Sequence, residues 1–365
     1  MKGFQINCAI SRISKILSNF LSANPFHRQH HVFTNRNLPS LPSSYPRRSS
    51  RLPRSQYTQQ PQPRDNSKPI PGLGLVLVHI QAITLNFRDI LIAAGAPLYP
   101  ISAIDGIIPC ADGAGEIVGV GETSIWSHHI GQKVIVVPQT TWIDGDIASY
   151  GGECMGGGSM NGTLAQYVVM PDECVIPMPT NITFGEAASL VVAGATAMNV
   201  LSTVEVKKGM TVVTQGTGGT SCFVIQVSVY KKLFSVLGMC RNLIGTWQLA
   251  AALGARVIAT SSTDEKLQVA KQLGASDLIN YKTTPDWAAE VLRLTDGKGA
   301  DLVADVGGSG TMEQSVKALT MGGTACLIGF LTPPHKNDVV MPLITGAKSC
   351  ENLRMADSVT LLTSM

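Results

Sequence analysis

The stretch that most constrains the fold is T-V-V-T-Q-G-T-G-G-T-S-C-F-V-I-Q, residues 211–226. Thr211–Gln215 reads as a short buried strand, and the small apolar residues after Ser221 read as the start of a helix. Between them lies Gly216-Thr217-Gly218-Gly219-Thr220-Ser221. In such a turn the first glycine permits the sharp reversal and the second lets a phosphate approach the backbone. The helix N-terminus then offers unpaired N–H groups and partial positive charge. These six residues are therefore predicted to line the pyrophosphate site of a dinucleotide.

Further strands are predicted at Arg256–Thr260, Asp277–Asn280, Asp301–Val306 and Thr324–Gly329, with amphipathic helices at Asp264–Leu273 and Trp287–Leu294. Repeated β-α-β with short buried strands argues a doubly wound parallel sheet, an α/β fold. Upstream the pattern is β-rich, with strands expected at Leu75–Ile83, Ile107–Val120, Val134–Val137 and Leu164–Val169 and a small-residue helix at Gly185–Leu201. The domains expected are 67–200 and 201–348, with a leader at 1–66 and an atypical tail at 349–365.

The second strand of a dinucleotide fold ends on the residue that reads the adenosine ribose. An acid there accepts hydrogen bonds from the 2′-OH and selects NAD. This strand runs into Ser261-Ser262-Thr263, with Lys266 one helical turn on. Hydroxyls and a cation suit a 2′-phosphate, so NADP is the expected cofactor. Asp264 and Glu265 are read as helix-cap and first-turn residues.

The spacing between these features is anomalous. The ribose-reading residue usually follows the glycines by about 20 positions, yet Ser261 follows Gly218 by 43. Omitting the 22 residues Val227–Gln248 shortens this to 21 and joins Gln226 to L-A-A-A-L-G-A in one small-residue helix. Val-Ser can be encoded GTA-AGT and Gln CAG, the sequences of an intron donor and acceptor. The segment therefore reads as a translated intron that would break the helix beside the cofactor; the alternative is a genuine surface insertion, since long loops are tolerated.

Charge is divided along the chain. Residues 1–64 hold ten Lys or Arg and no acid, whereas the remaining 301 residues hold 18 basic and 25 acidic side chains. The acidic body lacks a nucleic-acid footprint, and no run of 18 apolar residues suggests a membrane span. The basic, Ser-rich leader, with Ile10, Ile13, Leu17 and Phe20 at helical spacing, has the composition of a mitochondrial transit peptide. The alternatives are a disordered tail or misjoined upstream sequence; the expected location is cytoplasmic, or mitochondrial if residues 1–66 are a genuine transit peptide. Eight cysteines form no C-x-x-C pair, which argues reduced thiols rather than a disulfide or zinc framework.

These residues resemble the medium-chain dehydrogenase/reductase superfamily, in particular its zinc-free quinone-oxidoreductase-like branch. The resemblance rests on L-N-F-R-D (85–89), P-C-A-D-G-A-G-E-I-V-G-V-G (109–121), I-G-Q-K-V (130–134), W-I-D-G-D (142–146), G-T-L-A-Q-Y (162–167), A-G-A-T-A (193–197), the glycine loop and D-V-G-G (305–308). It implies a GroES-like catalytic domain, a Rossmann domain, a small-molecule substrate and a homodimer. Where zinc-dependent relatives carry ligands, this chain has Asn86, the run Cys110-Ala111-Asp112, and Val192, so no zinc is expected.

The activity implied is hydride transfer from NADPH to a quinone, an enone or a related carbonyl compound. Asn86, Arg88 and Asp89 are placed at the cleft, Thr196 at the nicotinamide, and Gly307, Gly308, Gly329 and Phe330 on the cofactor side of strand ends. Phe87 is read as core packing. The resemblance stops near Lys348, so a missing sixth strand and a truncated Rossmann sheet are expected. The alternative reading is a non-catalytic relic, at most nucleotide-binding.

Overall fold

The structure, a computed structural model, describes residues 32–34, 67–93, 106–138, 140, 154–229, 254–329, 331–332 and 349–352. W-I-D-G-D, Phe330 and the greater part of the 227–248 segment lie outside them. The chain divides into two compact units, the first running to Val192 and the second starting at Ala193.

The first unit is built on a six-stranded sheet of β1 (Val32–Thr34), β2 (Leu75–Thr84), β3 (Asp112–Val120), β4 (Lys133–Val136), β5 (Tyr167–Pro171) and β6 (Val175–Pro177). All pairings are antiparallel, in the order β1-β2-β3-β4-β6, with β5 also on β2. Two helices accompany it, α1 (Phe87–Ala93) and α2 (Phe184–Ser189). A capping box starts α2: Thr183 Oγ1 accepts from the Glu186 N–H, and the Glu186 carboxylate accepts from the Thr183 N–H.

Three expectations are corrected here. The leader does not lie wholly outside the fold, because Val32–Thr34 pairs with Ala82–Thr84. β5 covers only Leu75–His79 of β2, so the far end of that edge is open to another strand. Next, β3 starts at Asp112, not Ile107. Cys110 has φ +72, a left-handed turn that ends extended backbone. This turn is strapped by G-T-L: Gly162 N–H donates to Ile108 O at 2.7 Å and Thr163 N–H to Cys110 O at 3.0 Å. A Cβ on Gly162 would lie 1.9 Å from Cys110 O, which explains the glycine by close backbone approach. Finally, Phe87 is 47% exposed, so it does not pack in the core.

The second unit opens with α3 (Ala195–Thr203) and continues as β7 (Thr211–Gln215), α4 (Gly219–Val229), β8 (Arg256–Ser261), α5 (Asp264–Gln272) and β9 (Asp277–Asn280). Then follow α6 (Trp287–Leu294), β10 (Ala300–Asp305), α7 (Met312–Ala318), β11 (Leu319–Leu327) and β12 (Ser349–Asn352). The order is β12-β11-β10-β7-β8-β9, with every pairing parallel. The sheet thus reverses its direction of winding between β7 and β10, where open α/β sheets bind ligands beyond the strand C-termini. Every residue of β7 is buried, as a central parallel strand requires. Val213, Ile258 and Val303 pack in one core with Trp287 and Val291 of α6.

The sixth strand expected to be missing is present, since Ser349–Asn352 pairs with Thr324–Leu327 of β11. The helix after the glycine loop, α4, runs eleven residues and takes in Val227–Val229 as its last three; the rest of the 227–248 segment lies outside the described residues. Phe184–Ser202 is apolar and long enough for a membrane span, but 72% of its most apolar window is buried within the protein, as in a core helix.

Candidate functional site

In the first unit, three of the implicated side chains, Asn86, Arg88 and Asp89, meet where β2 runs into α1. Asn86 precedes the helix, and its N–H donates to Asp89 Oδ2 at 2.8 Å, which ties down the first turn. Arg88 is buried, and its Nη1 donates to Asp89 Oδ1 at 2.9 Å and Met155 O at 3.1 Å. It is therefore a structural ion pair rather than a solvated helix residue. Burial raises the Asp89 pKa, and the neighbouring Arg88 charge works against that shift.

The centre of this cluster is Asp112, only 1% exposed. Its Oδ2 accepts from Thr84 Oγ1 at 2.5 Å and from Asn86 Nδ2 at 2.9 Å, and its Oδ1 from the Val192 N–H at 3.1 Å. Burial pushes its pKa up to about 7, against the hydrogen bonds from Thr84 and Asn86. The sequence places Asp112 in a family motif, within the run where zinc-dependent relatives carry a ligand, without giving it a role of its own. The signal that could have found it is the acid itself, set directly after Cys110-Ala111 and before Gly113-Ala114, where an enclosed charge needs partners.

In the second unit, the glycine loop is open for a ligand. Gly216 has φ +74, and a Cβ on Gly216 or Gly218 would meet nothing within 4 Å. A Cβ on Gly219 would press on Ala193 Cβ at 3.2 Å, so this glycine serves helix packing instead. Thr217 and Thr220 are half-buried beside them. The Ser221 hydroxyl turns inward and donates to Gln215 O at 2.7 Å, which leaves phosphate binding to the backbone N–H groups. Thr196 is buried in the first turn of α3.

At the end of β8, Ser261 and Ser262 are buried and Lys266 is exposed. Thr263 caps α5, while Asp264 Oδ1 accepts from Asn280 Nδ2 at 2.8 Å. Beyond β10 the loop Asp305–Gly308 folds around its own acid: Asp305 Oδ1 accepts from the N–H groups of Gly307 and Gly308 at 2.9 and 2.8 Å. The N–H of Ile328, at the end of β11, donates to Asp305 O at 2.8 Å, and Gly329 packs against Val306 O.

An open glycine loop at the switch point of a six-stranded doubly wound sheet, in a chain that also carries a β-rich unit, is the architecture of a nicotinamide-dinucleotide oxidoreductase. The alcohol dehydrogenase GroES-like domain family matches residues 72–180, and the zinc-binding dehydrogenase family matches residues 244–358. A zinc-type alcohol dehydrogenase-like protein of Schizosaccharomyces pombe is 36% identical over 274 residues, covering 73% of this chain and 72% of its own. The quinone oxidoreductase of Pseudomonas aeruginosa is 28% identical over 273 residues, covering 74% and 70%. A solved NAD-dependent alcohol dehydrogenase superposes with a TM-score of 0.68 at 29% identity, covering 82% of each chain. This chain belongs to the medium-chain dehydrogenase/reductase superfamily, in its quinone-oxidoreductase-like branch. The match to residue 358 also carries the resemblance past Lys348, where it was expected to end.

The family name implies zinc, and the positions aligned with its ligands do converge, since Asn86 and Val192 both donate to Asp112, the neighbour of Ala111. What converges is an amide and a peptide N–H on a carboxylate, not the thiolates and imidazoles that zinc takes. Burial pushes the Cys154 thiol up to about 11 and raises Cys110 as well, so neither is a ready thiolate. Among the described residues no three His, Cys, Asp or Glu side chains gather to hold a metal ion. The residues present do not fit zinc.

The Asp112 geometry fixes a pH dependence. The unfolded chain ionises Asp112 near its ordinary value of 3.8, whereas the folded protein holds the proton to about 7. Its contribution to stability is therefore complete below about pH 4 and lost as pH rises to about 7. Denaturant titrations at pH 5 and pH 8 should show that loss in the native protein and a smaller one in Asp112→Asn. An unchanged pH dependence in the variant would contradict the assignment.

Proposed function

We propose that this protein is an NADPH-dependent oxidoreductase that delivers hydride to a quinone, an enone or a related carbonyl acceptor without zinc. The observation that carries this reading is the Asn86–Asp112 hydrogen bond at 2.9 Å. It fixes the Asn86 amide with one N–H committed, and the same nitrogen has a second N–H. That group is suited to donate to a substrate oxygen as negative charge develops there, the task a metal would otherwise perform. Asp112 holds the amide in place, and the Arg88–Asp89 pair fixes the helix turn that carries it.

When bound, the dinucleotide supplies the hydride. The chain's part is to bind it at the glycine loop and exclude water from the transfer. Exposed Lys266, with Ser262 at the strand end and no acid at that end, supports a 2′-phosphate and hence NADPH over NADH.

The test is NADPH oxidation by purified protein with a panel of quinones, enones and aldehydes. Turnover is expected with at least one electron-poor acceptor and to persist in chelator. Asn86→Ala should lower kcat by about 10²-fold, and Lys266→Ala should narrow the preference for NADPH. No turnover with any acceptor, or turnover that depends on added zinc, would sink this reading.

A further inference from the structure

We propose that Asp305 is a positioning residue for the nicotinamide half of the dinucleotide, an inference that rests on the dinucleotide reading above. Its carboxylate is fully enclosed. Besides the two glycine N–H groups, it accepts from Thr311 Oγ1 at 2.8 Å and Ser315 Oγ at 2.5 Å. Gln215, the last residue of β7, joins the same network: its Nε2 donates to Ser315 Oγ at 2.8 Å and its Oε1 accepts from the Gly307 N–H at 3.2 Å. Since Ser221 Oγ donates to Gln215 O at 2.7 Å, a continuous chain of hydrogen bonds joins the glycine loop to the loop after β10.

The strand order gives this link its meaning. With the pyrophosphate over β7 and the adenosine ribose over β8, the other half of the dinucleotide extends over β10. Asp305 therefore sets the spacing between the pyrophosphate loop and the nicotinamide side. The test compares two ligands on the full chain, NADPH and 2′,5′-ADP, which carries only the adenosine half. Asp305→Asn should weaken NADPH binding about tenfold or more and lower kcat, with 2′,5′-ADP affinity unchanged within about twofold. Equal loss for both ligands, or loss for neither, would overturn the proposal. If Asp305→Asn does not fold, Gln215→Leu provides the same comparison. If the native protein binds neither ligand, the dinucleotide reading itself fails.

A separate observation concerns the segment 227–248, and from it we infer that deleting these 22 residues leaves the helix after the glycine loop in register. Gly254, with φ +89, has the left-handed conformation of a glycine that follows a helix C-terminus. The N–H groups of Gly254 and Ala255 both donate to Ser228 O, each at 3.2 Å. In a helix closed by such a glycine these bonds go to the carbonyl four and five residues earlier, which by sequence is that of Ala250. Ser228 thus holds the place of a residue 22 positions later, and 22 is also the length that corrects the spacing from Gly218 to Ser261.

Side-chain chemistry agrees. The Ser228 hydroxyl is buried with no hydrogen-bond partner among the described residues. An alanine, the residue at 250, would leave nothing unsatisfied there. Three deletions test the inference on the full chain: 227–248, 227–247 and 227–249. The first should raise Tm by about 5 °C or more, through loss of a long loop closure and an unpaired hydroxyl. It should also keep NADPH affinity within about threefold. The other two rotate the join by roughly 100° and should lower Tm. A 227–248 deletion that is unfolded, or no more stable than its neighbours, would overturn the inference.

Discussion

The carboxylate of Asp305 is the contact on which the geometry of the second unit's binding edge depends. A charge with no solvent access is tolerable only when its lone pairs are filled, and here glycine N–H groups and the Thr311 and Ser315 hydroxyls fill them. Meeting that requirement forces the chain after β10 to turn back on itself. It also explains Gly307, where a Cβ would lie 2.3 Å from Thr311 Oγ1. The same constraint draws in Gln215 and, through its carbonyl, Ser221 at the glycine loop. Loops that follow different strands are thereby held as one rigid edge, which suits a ligand that must be oriented for transfer.

The first unit repeats this device around Asp112. Thr84 from β2, Asn86 before α1 and the Val192 N–H all reach one enclosed carboxylate. In a zinc-dependent relative a metal would organise these positions. Here an acid does so, and burial makes its proton occupancy sensitive to pH near neutrality. On the zinc-free reading proposed above, a held amide takes the place of a Lewis acid, a change of chemistry without a change of fold.

Much of this was legible in the sequence. Strands β7 and β9 and helix α6 were bounded correctly, because buried parallel strands and amphipathic helices announce themselves locally. Open glycines at 216 and 218 followed from the motif. The misses came from long-range pairing. Val32–Thr34 and Ser349–Asn352 are short strands with no periodic signal, and each exists because a neighbouring strand leaves an edge to be covered. Asp112 and Asp305 stood inside recognisable motifs, yet Val192 lies 80 residues from Asp112, and Gln215 reaches Gly307 of the Asp305 loop across 92. Phe87 misled because an aromatic residue between a neutral amide and a cation gives no local hint of which face is solvent. The length anomaly at 227–248 was visible as a number, whereas the contact of the Ser228 carbonyl with the Gly254 and Ala255 N–H groups is a long-range one that no local pattern announces.

The most direct test of the central claim is calorimetric titration of the purified chain with NADPH and with NADH, in metal-free buffer. The account predicts saturable binding of one dinucleotide per chain, tighter for NADPH, with no effect of added zinc. Absence of saturable binding, tighter binding of NADH, or binding that appears only with zinc would contradict it.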